Sequence, residues 1–201
     1  MSSFDERART WDTPDRRARA IAVAQAVREH VPLTRSTRTI EIGAGTGLLG
    51  LALADEVGEL VLAEPSAGML EVAREKLGPP AAARISAVPF DLLTDPPPGG
   101  PFDLAISLLV LHHLPDTHAA LAAILRLLRP GGRIAIADLE AEDGTFHEPG
   151  SEGIYHEGFE RGHLAGLARA AGFADVAVVT ATEIERNGRV YPVILLLGRR
   201  P

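Results

Sequence analysis

Three groups of residues in the 201-residue chain have the types and spacing to do chemistry. The first is Glu41-Ile42-Gly43-Ala44-Gly45-Thr46-Gly47, set directly after the apolar strand start at Ile40 and directly before the helix-forming run Leu48 to Ala54. A glycine loop between a strand and a helix is where an α/β protein holds a nucleotide-like ligand. Its backbone passes close to the ligand, and the helix start offers unpaired N–H groups and a partial positive charge to a carboxylate. The second group is acidic: Glu64 closes the apolar run Leu60 to Ala63, and Asp91-Leu92 follows Ser86 to Phe90. A carboxylate at a strand end has two acceptor oxygens, the complement of two vicinal hydroxyls. The third group is histidine, with His112-His113 after the run Phe102 to Leu111, and His147, His156 and His163 further on. Histidine is the natural base for a nucleophile with a proton to lose near neutral pH, and His112 and His156 are the candidates here. Adjacent side chains on an extended segment diverge, so His112-His113 is not read as a metal site and no metal is expected.

These residues need elements to hold them, and apolar β-type runs alternate with helical runs along the chain, the signature of βαβ units and a mostly parallel sheet. The pattern predicts a first helix over 15–31 ended by Pro32, strands at 39–42, 60–63, 83–88, 102–110 and 133–137, and helices at 47–55, 66–77, 115–128 and 159–171. Ser66 reads as a helix cap and Gly78-Pro79-Pro80 as a stop, and Asp95 to Pro101 carries too many prolines to be anything but a loop. The polar stretch 139–157 reads as a loop or insertion over the ligand side of the sheet. Two late β-type runs, 175–180 and 190–197, flank Asn187-Gly188, the tight-hairpin dipeptide, so an antiparallel hairpin closes the domain. One three-layer α/β domain over 1–201 is expected, with an N-terminal lid or helix region at 1–31 and a substrate-side insertion at 139–159.

The spacing Glu-x-Gly-x-Gly-x-Gly brings the third glycine one residue earlier than the dinucleotide fingerprint does. It resembles motif I of the class I S-adenosylmethionine-dependent methyltransferases, and the resemblance extends over nearly the whole chain. Phe102-Asp103 to Ser107, leading into His112-His113-Leu114-Pro115-Asp116, is similar to the fourth strand of that family's small-molecule branch. Phe4-Asp5 to Trp11-Asp12 is similar to the opening of quinone-biosynthesis-type members. The resemblance implies a Rossmann-like, seven-stranded sheet in the order 3-2-1-4-5-7-6 with an antiparallel last strand, and S-adenosylmethionine as cofactor. It implies that Gly43, Ala44, Gly45, Thr46 and Gly47 lie against the methionine part and that Glu41 is tied to its amino group through water or the loop. Glu64, next to Pro65, would take both ribose hydroxyls, Met69 would pack on the adenine, and Asp91 and Leu92 would receive and flank it. Ser107, at the end of the fourth strand, joins these cofactor contacts, and the N-terminal segment with Trp11 folds over the cleft as a lid. The Asp/Asn-Pro-Pro-aromatic element of many nucleic-acid and protein N-methyltransferases is absent around Ser107 to Val110.

Composition narrows the partners. Twenty-seven acidic against 20 basic residues give a net charge of −7, which offers no overall attraction to nucleic acid or an acidic membrane. The cluster Arg16, Arg17 and Arg19 reads as a solvated helix face. No cysteine is present, so disulfides and thiolate sites are excluded. With no apolar stretch of about 20 residues and no secretory leader, a cytoplasmic monomer or homodimer is expected. The function read from the sequence is methyl transfer to a small-molecule acceptor, at an O, N or C atom left open. The rivals are a non-catalytic cofactor-binding regulatory module and an NAD(P)-dependent oxidoreductase, against which the early third glycine and the lack of a Tyr-x-x-x-Lys pair both speak.

Overall fold

The structure is a computed structural model and describes residues 3–148, 150–151 and 153–201. Its centre is a sheet of β1 (Arg38–Ile42), β2 (Glu59–Glu64), β3 (Ile85–Pro89), β4 (Phe102–Leu108), β5 (Leu128–Leu139), β6 (Ala174–Arg186) and β7 (Arg189–Arg199). The strand order is β3-β2-β1-β4-β5-β7-β6, as expected from the sequence. Strands β1 to β5 pair in parallel, and β7 runs antiparallel to both β5 and β6. The order reverses between β1 and β4, which leaves a crevice beyond their carboxyl ends, where α/β sheets take ligands.

The helices are α1 (Ser3–Arg7), α2 (Pro14–His30), α3 (Leu48–Leu53), α4 (Ala67–Glu75), α5 (Pro79–Ala82), α6 (Thr117–Leu127) and α7 (Arg161–Ala170), with 3-10 turns at Ala8–Thr10 and Leu111–His113. Side-chain caps start three of them: Thr13 accepts from the Arg16 N–H, Ser66 from Met69 and Asp116 from Ala119. Alternate residues of each central strand enter opposite cores. Ile40, Ile42 and Ala105 pack with Leu121 and Ile124 of α6 and Leu164 of α7, while Leu104 and Ile106 pack with Val23 and Val27 of α2 and Leu49 of α3. A strand covered on both faces must be apolar on both, which is why 102–110 reads as one unbroken run.

Several boundaries differ from the sequence reading, each for an identifiable reason. Strand β4 stops at Leu108 because Leu109 turns to φ 58°. Strand β5 starts at Leu128 and runs through Pro130-Gly131-Gly132, read from sequence as a plain stop. Gly131 donates to the Arg200 carbonyl and Arg200 to that of Gly132, which holds this stretch extended beside the end of β7. Strand β3 begins at Ile85, two residues late, since the prolines after Gly78 open the short helix α5 instead of only ending α4. Strands β6 and β7 extend to Arg186 and Arg189, because Asn187 and Gly188 both take positive φ, 53° and 72°, and so make a two-residue turn.

Candidate active site

The glycine loop sits at the ends of β1 and β2 with φ of 61°, 55° and 81° at Gly43, Gly45 and Gly47. Space imposes glycine as well: a Cβ on Gly43 would lie 2.6 Å from Val110 Cγ2, and one on Gly47 2.9 Å from Leu62 Cδ1. The Ala44 N–H donates to the Ala63 carbonyl at 3.1 Å, so the loop folds tightly across β2. Beneath it, Glu41 is 2% exposed and its Oε2 accepts from the Gly50 N–H of α3 at 2.9 Å. Burial drives its pKa up to about 8, with the Gly50 bond opposing and Glu64 adding to the rise.

Glu64 stands between the loop and α4. Its Oε2 accepts from the Gly45 N–H at 2.8 Å and its Oε1 from the Ser66 N–H at 2.9 Å, and burial raises its pKa. Each oxygen keeps a lone pair, so the carboxylate fits a vicinal diol in a fixed orientation. Pro65 beside it is exposed, and Met69 is fully buried one turn into α4. The remaining candidates make contacts within the chain. Asp91 is exposed and its Oδ1 accepts the Leu93 N–H in its own turn, while Leu92 is buried in the core with Phe90. Ser107, 1% exposed, donates its hydroxyl to the Ile42 carbonyl at 2.9 Å, tying β4 to β1.

The N-terminal segment lies over this loop. Trp11 Nε1 is 3.7 Å from where a Gly45 Cβ would stand. Asp12 accepts from the Thr46 hydroxyl and pairs with Lys76 Nζ at 2.6 Å, and Lys76 also donates to the Thr46 carbonyl at 2.7 Å. Asp5 accepts from the Ser66 hydroxyl at 2.6 Å and the Gly68 N–H at 3.0 Å, which fastens the strap to the start of α4. Phe4 bridges onward, with ring centroids 5.8 Å from Trp11 and 5.6 Å from His113.

That bridge ends on a group of imidazoles. His112 is 1% exposed and its Nδ1 lies 2.7 Å from Oδ1 of Asp138, which is wholly buried and also accepts the backbone N–H groups of His112 and Leu139. A carboxylate receiving three N–H groups is an acceptor only, so Nδ1 carries the hydrogen and Nε2 the lone pair. His112 Nε2 is buried and has no hydrogen-bond partner. Leaving such an atom unmade costs about 1–3 kcal/mol, so the position asks for a ligand proton donor. His147 stands 5.1 Å away by ring centroids, its Nε2 also buried without a partner, and burial with the neighbouring histidines holds its pKa down to about 4. His113 donates from Nδ1 to the Gly153 carbonyl at 2.8 Å, and burial lowers its pKa. His156, the second candidate base, donates from Nε2 to the Leu114 carbonyl at 3.0 Å and rests against Phe159. A cleft of about 600 Å³ in the insertion is lined by His147, Tyr155 and His156 with Glu142, Glu148 and Glu157.

Val110 against Gly43, Trp11 against Gly45 and Phe4 between Trp11 and His113 thus join the glycine loop to His113, whose ring lies 4.1 Å by centroids from that of His112. Sequence reasoning missed Asp138, and it named His147 among the histidines without choosing it as a base. Asp138 had a signal, a lone acid at the end of the apolar run 133–137, just as Glu64 ends its own run; His147 lies in a stretch with no periodicity.

Comparison with known proteins agrees with this geometry. Residues 40–134 match the model of a methyltransferase domain. The chain is 34% identical over 140 residues to an uncharacterized methyltransferase of Geobacillus kaustophilus, covering 69% of this chain and 57% of that protein. It is 33% identical over 123 residues to a ubiquinone biosynthesis O-methyltransferase of Xylella fastidiosa, covering 60% and 48%. The match thus spans about half the length of these curated relatives. Among solved structures, a Haloferax volcanii putative methyltransferase in complex with the Trm112 methyltransferase activator superposes with a TM-score of 0.78 at 20% identity, over 100% of this chain and 99% of that one. The glycine spacing, the acid at the end of β2, the strand order and these relatives together support a class I S-adenosylmethionine-dependent methyltransferase.

Proposed function

We propose that this protein transfers the methyl group of S-adenosylmethionine to a hydroxyl of a small-molecule acceptor, with His112 as general base and Asp138 as the residue that positions it. The observation that carries the reading is the buried, unpartnered Nε2 of His112, backed by Asp138 and two residues past Val110, which packs on Gly43. Gly43 to Gly47, Glu64, Pro65 and Met69 form the cofactor cradle, and Trp11 covers it. The cofactor supplies a methyl group already made electrophilic by its sulfonium. The chain's task is alignment, exclusion of water and removal of one proton. Nε2 accepts the hydroxyl proton as the oxygen forms its bond to the methyl carbon, and the carbon–sulfur pair leaves with sulfur. Asp138 fixes the tautomer that leaves Nε2 free and stabilises the imidazolium that results. A thiol or phenol also fits this base, whereas an amine that attacks from its neutral form needs none, so the dyad favours an acceptor with an acidic proton. The O-methyltransferase among the relatives supports the same direction.

The test is methyl transfer from labelled cofactor to a panel of phenols, alcohols and amines, with calorimetry of S-adenosylhomocysteine and NADH beside it. H112A and D138N are expected to lower kcat about 10²–10⁴-fold with cofactor affinity unchanged. Unchanged turnover in both variants removes the base. Cofactor binding without transfer to any acceptor favours a non-catalytic module, and binding of NADH alone overturns methyl transfer.

A further inference from the structure

The arginines near the N-terminus read from sequence as a solvated face, and the structure places two of them otherwise. Arg16 and Arg19, three residues apart on α2, share a helix face directed at the strap and at the β6–β7 hairpin, against which α2 packs. Arg16 stacks on Trp11 with Cζ 4.0 Å from the ring and donates to the Trp11 carbonyl at 2.9 Å. Arg7 approaches the same indole at 5.1 Å. From the hairpin, Arg186 lies 5.6 Å over Phe146, whose ring is 4.9 Å from His147. Arg19 Nε is buried with no hydrogen-bond partner, and no ion pair among the described residues includes Arg7, Arg16 or Arg19.

Of the nearby acids only Glu148 pairs with a member of this group, Arg186, while Asp12 is drawn to Lys76 and Arg17 and Asp15 acts on Arg19 without a direct pair, so Arg16 and Arg19 keep no ion-pair partner among the described residues. Mutual repulsion therefore persists: burial first, and Arg16 and Arg186 next, lower the Arg19 pKa to about 10, and burial with Arg7 and Arg186 lowers that of Arg16. Crowded, half-buried guanidiniums with an idle N–H are stable when an anion joins them, and their planar forks match carboxylate and phosphate.

We propose that Arg16, Arg19 and Arg186 form an anion subsite that holds a carboxylate or phosphate of the methyl acceptor. This rests on the methyl-transfer reading, since the subsite lies between Trp11 over the glycine loop and His147 beside the base. It assigns the acceptor a class: a hydroxyl compound bearing an anionic group, seated with its hydroxyl toward His112.

Trp11 is the sole tryptophan, so its indole N–H gives one reporter signal in the cluster. The full chain is titrated with benzoate, inorganic phosphate and benzylammonium at fixed ionic strength, with and without saturating S-adenosylhomocysteine, while the indole N–H resonance is followed. Saturable shifts with benzoate or phosphate and none with benzylammonium are expected. R16Q, R19Q and R186Q should each weaken the anion at least tenfold and leave S-adenosylhomocysteine affinity within twofold. Arg186 stands on a different element from the other two, so R186Q serves where an α2 variant fails to fold. The proposal is overturned by a linear response, by equal anion affinity in the variants, or by tighter binding of benzylammonium, which would put a cation in the Glu142–Glu157 cleft. A parallel loss of S-adenosylhomocysteine affinity in the variants overturns it too, by assigning the arginines to the cofactor's own carboxylate. Failure of the wild type to bind S-adenosylhomocysteine tells against the methyl-transfer reading instead, and the titration without it still reads the anion.

Discussion

Glu41→Gln tests the electrostatics of the cofactor cradle most directly. The carboxyl is 2% exposed and its one backbone tie, Oε2 to the Gly50 N–H at 2.9 Å, needs only an acceptor. A glutamine keeps that bond through its amide oxygen and cannot ionise. In the wild type, burial sets the folded pKa at about 8, against 4.5 for an ordinary glutamate. Between those values the folded state holds a proton that the unfolded state has released. Stability therefore declines as pH rises, by about 1.4 kcal/mol per pH unit, and the loss is complete above the folded pKa. The interval of about 3.5 units makes that loss about 5 kcal/mol, a large part of the 5–15 kcal/mol that holds a domain folded. The variant lacks this slope. Urea denaturation across pH 4 to 9 should give nearly equal stabilities at pH 4, an advantage to the variant of about 2 kcal/mol at pH 6, and about 5 kcal/mol at pH 9. Two curves parallel across that range would show that Glu41 is not held protonated beneath the loop, and would refute the reasoning.

Other perturbations follow from the same contacts. G43A places a side chain at φ 61° and 2.6 Å from Val110 Cγ2, and should cost about 2–4 kcal/mol and abolish S-adenosylhomocysteine binding. In a double-mutant cycle G43A/V110A should lose less than the sum of the single losses; strict additivity would show that the loop and Val110 do not meet. D12N removes the carboxylate shared by Lys76 and Thr46, at about 1.5–3 kcal/mol for the strap. It should shift Trp11 fluorescence to the red and raise the KM for the cofactor, and unchanged emission would contradict the strap contacts. For Asp12, burial opposes ionisation, but Lys76 and Thr46 outweigh it and hold the pKa below 3.8. The strap's share of stability is thus present above pH 3.8 and lost as pH falls through that lowered value, so Trp11 emission at pH 5 should match that at pH 7. D138N leaves a ring without its carboxylate partner, and its kcat should fall while KM for the cofactor holds, a split that a loss of fold would not give.

What was legible in the sequence divides along the range of the interactions. The loop glycines, the cap at Ser66 and the Asn187-Gly188 turn each satisfy a local backbone requirement, so their residue types announce them. The alternation of runs fixed the order of elements because burial on both faces of a strand is written in the strand itself. Boundaries slipped where a partner distant in sequence decided them, as Arg200 does for Gly131-Gly132. The candidate site divides in the same way. Glu64 was readable from its place at a strand end, yet the same rule at Ala137-Asp138 was not applied, since an acid acquires meaning there only when a histidine 26 residues earlier turns its Nδ1 toward it. Ser107 shows a tie that the sequence did not announce: at the end of β4 it donates its hydroxyl to the Ile42 carbonyl of β1.

The arginines carry this furthest. On α2 alone they repeat at helical spacing and look like a solvated face, the commonest fate of such a run. Their character comes from Trp11, from Arg186 some 170 positions away, and from acids that pair elsewhere. A charge cluster is a property of the assembled surface, and net charge says nothing of it: a chain at −7 still sets Arg7 and Arg16 on Trp11 and Arg186 over Phe146. The glycine loop is local and so was read from sequence. The contacts among the strap, the insertion and the hairpin are not, and only the fold brings these together.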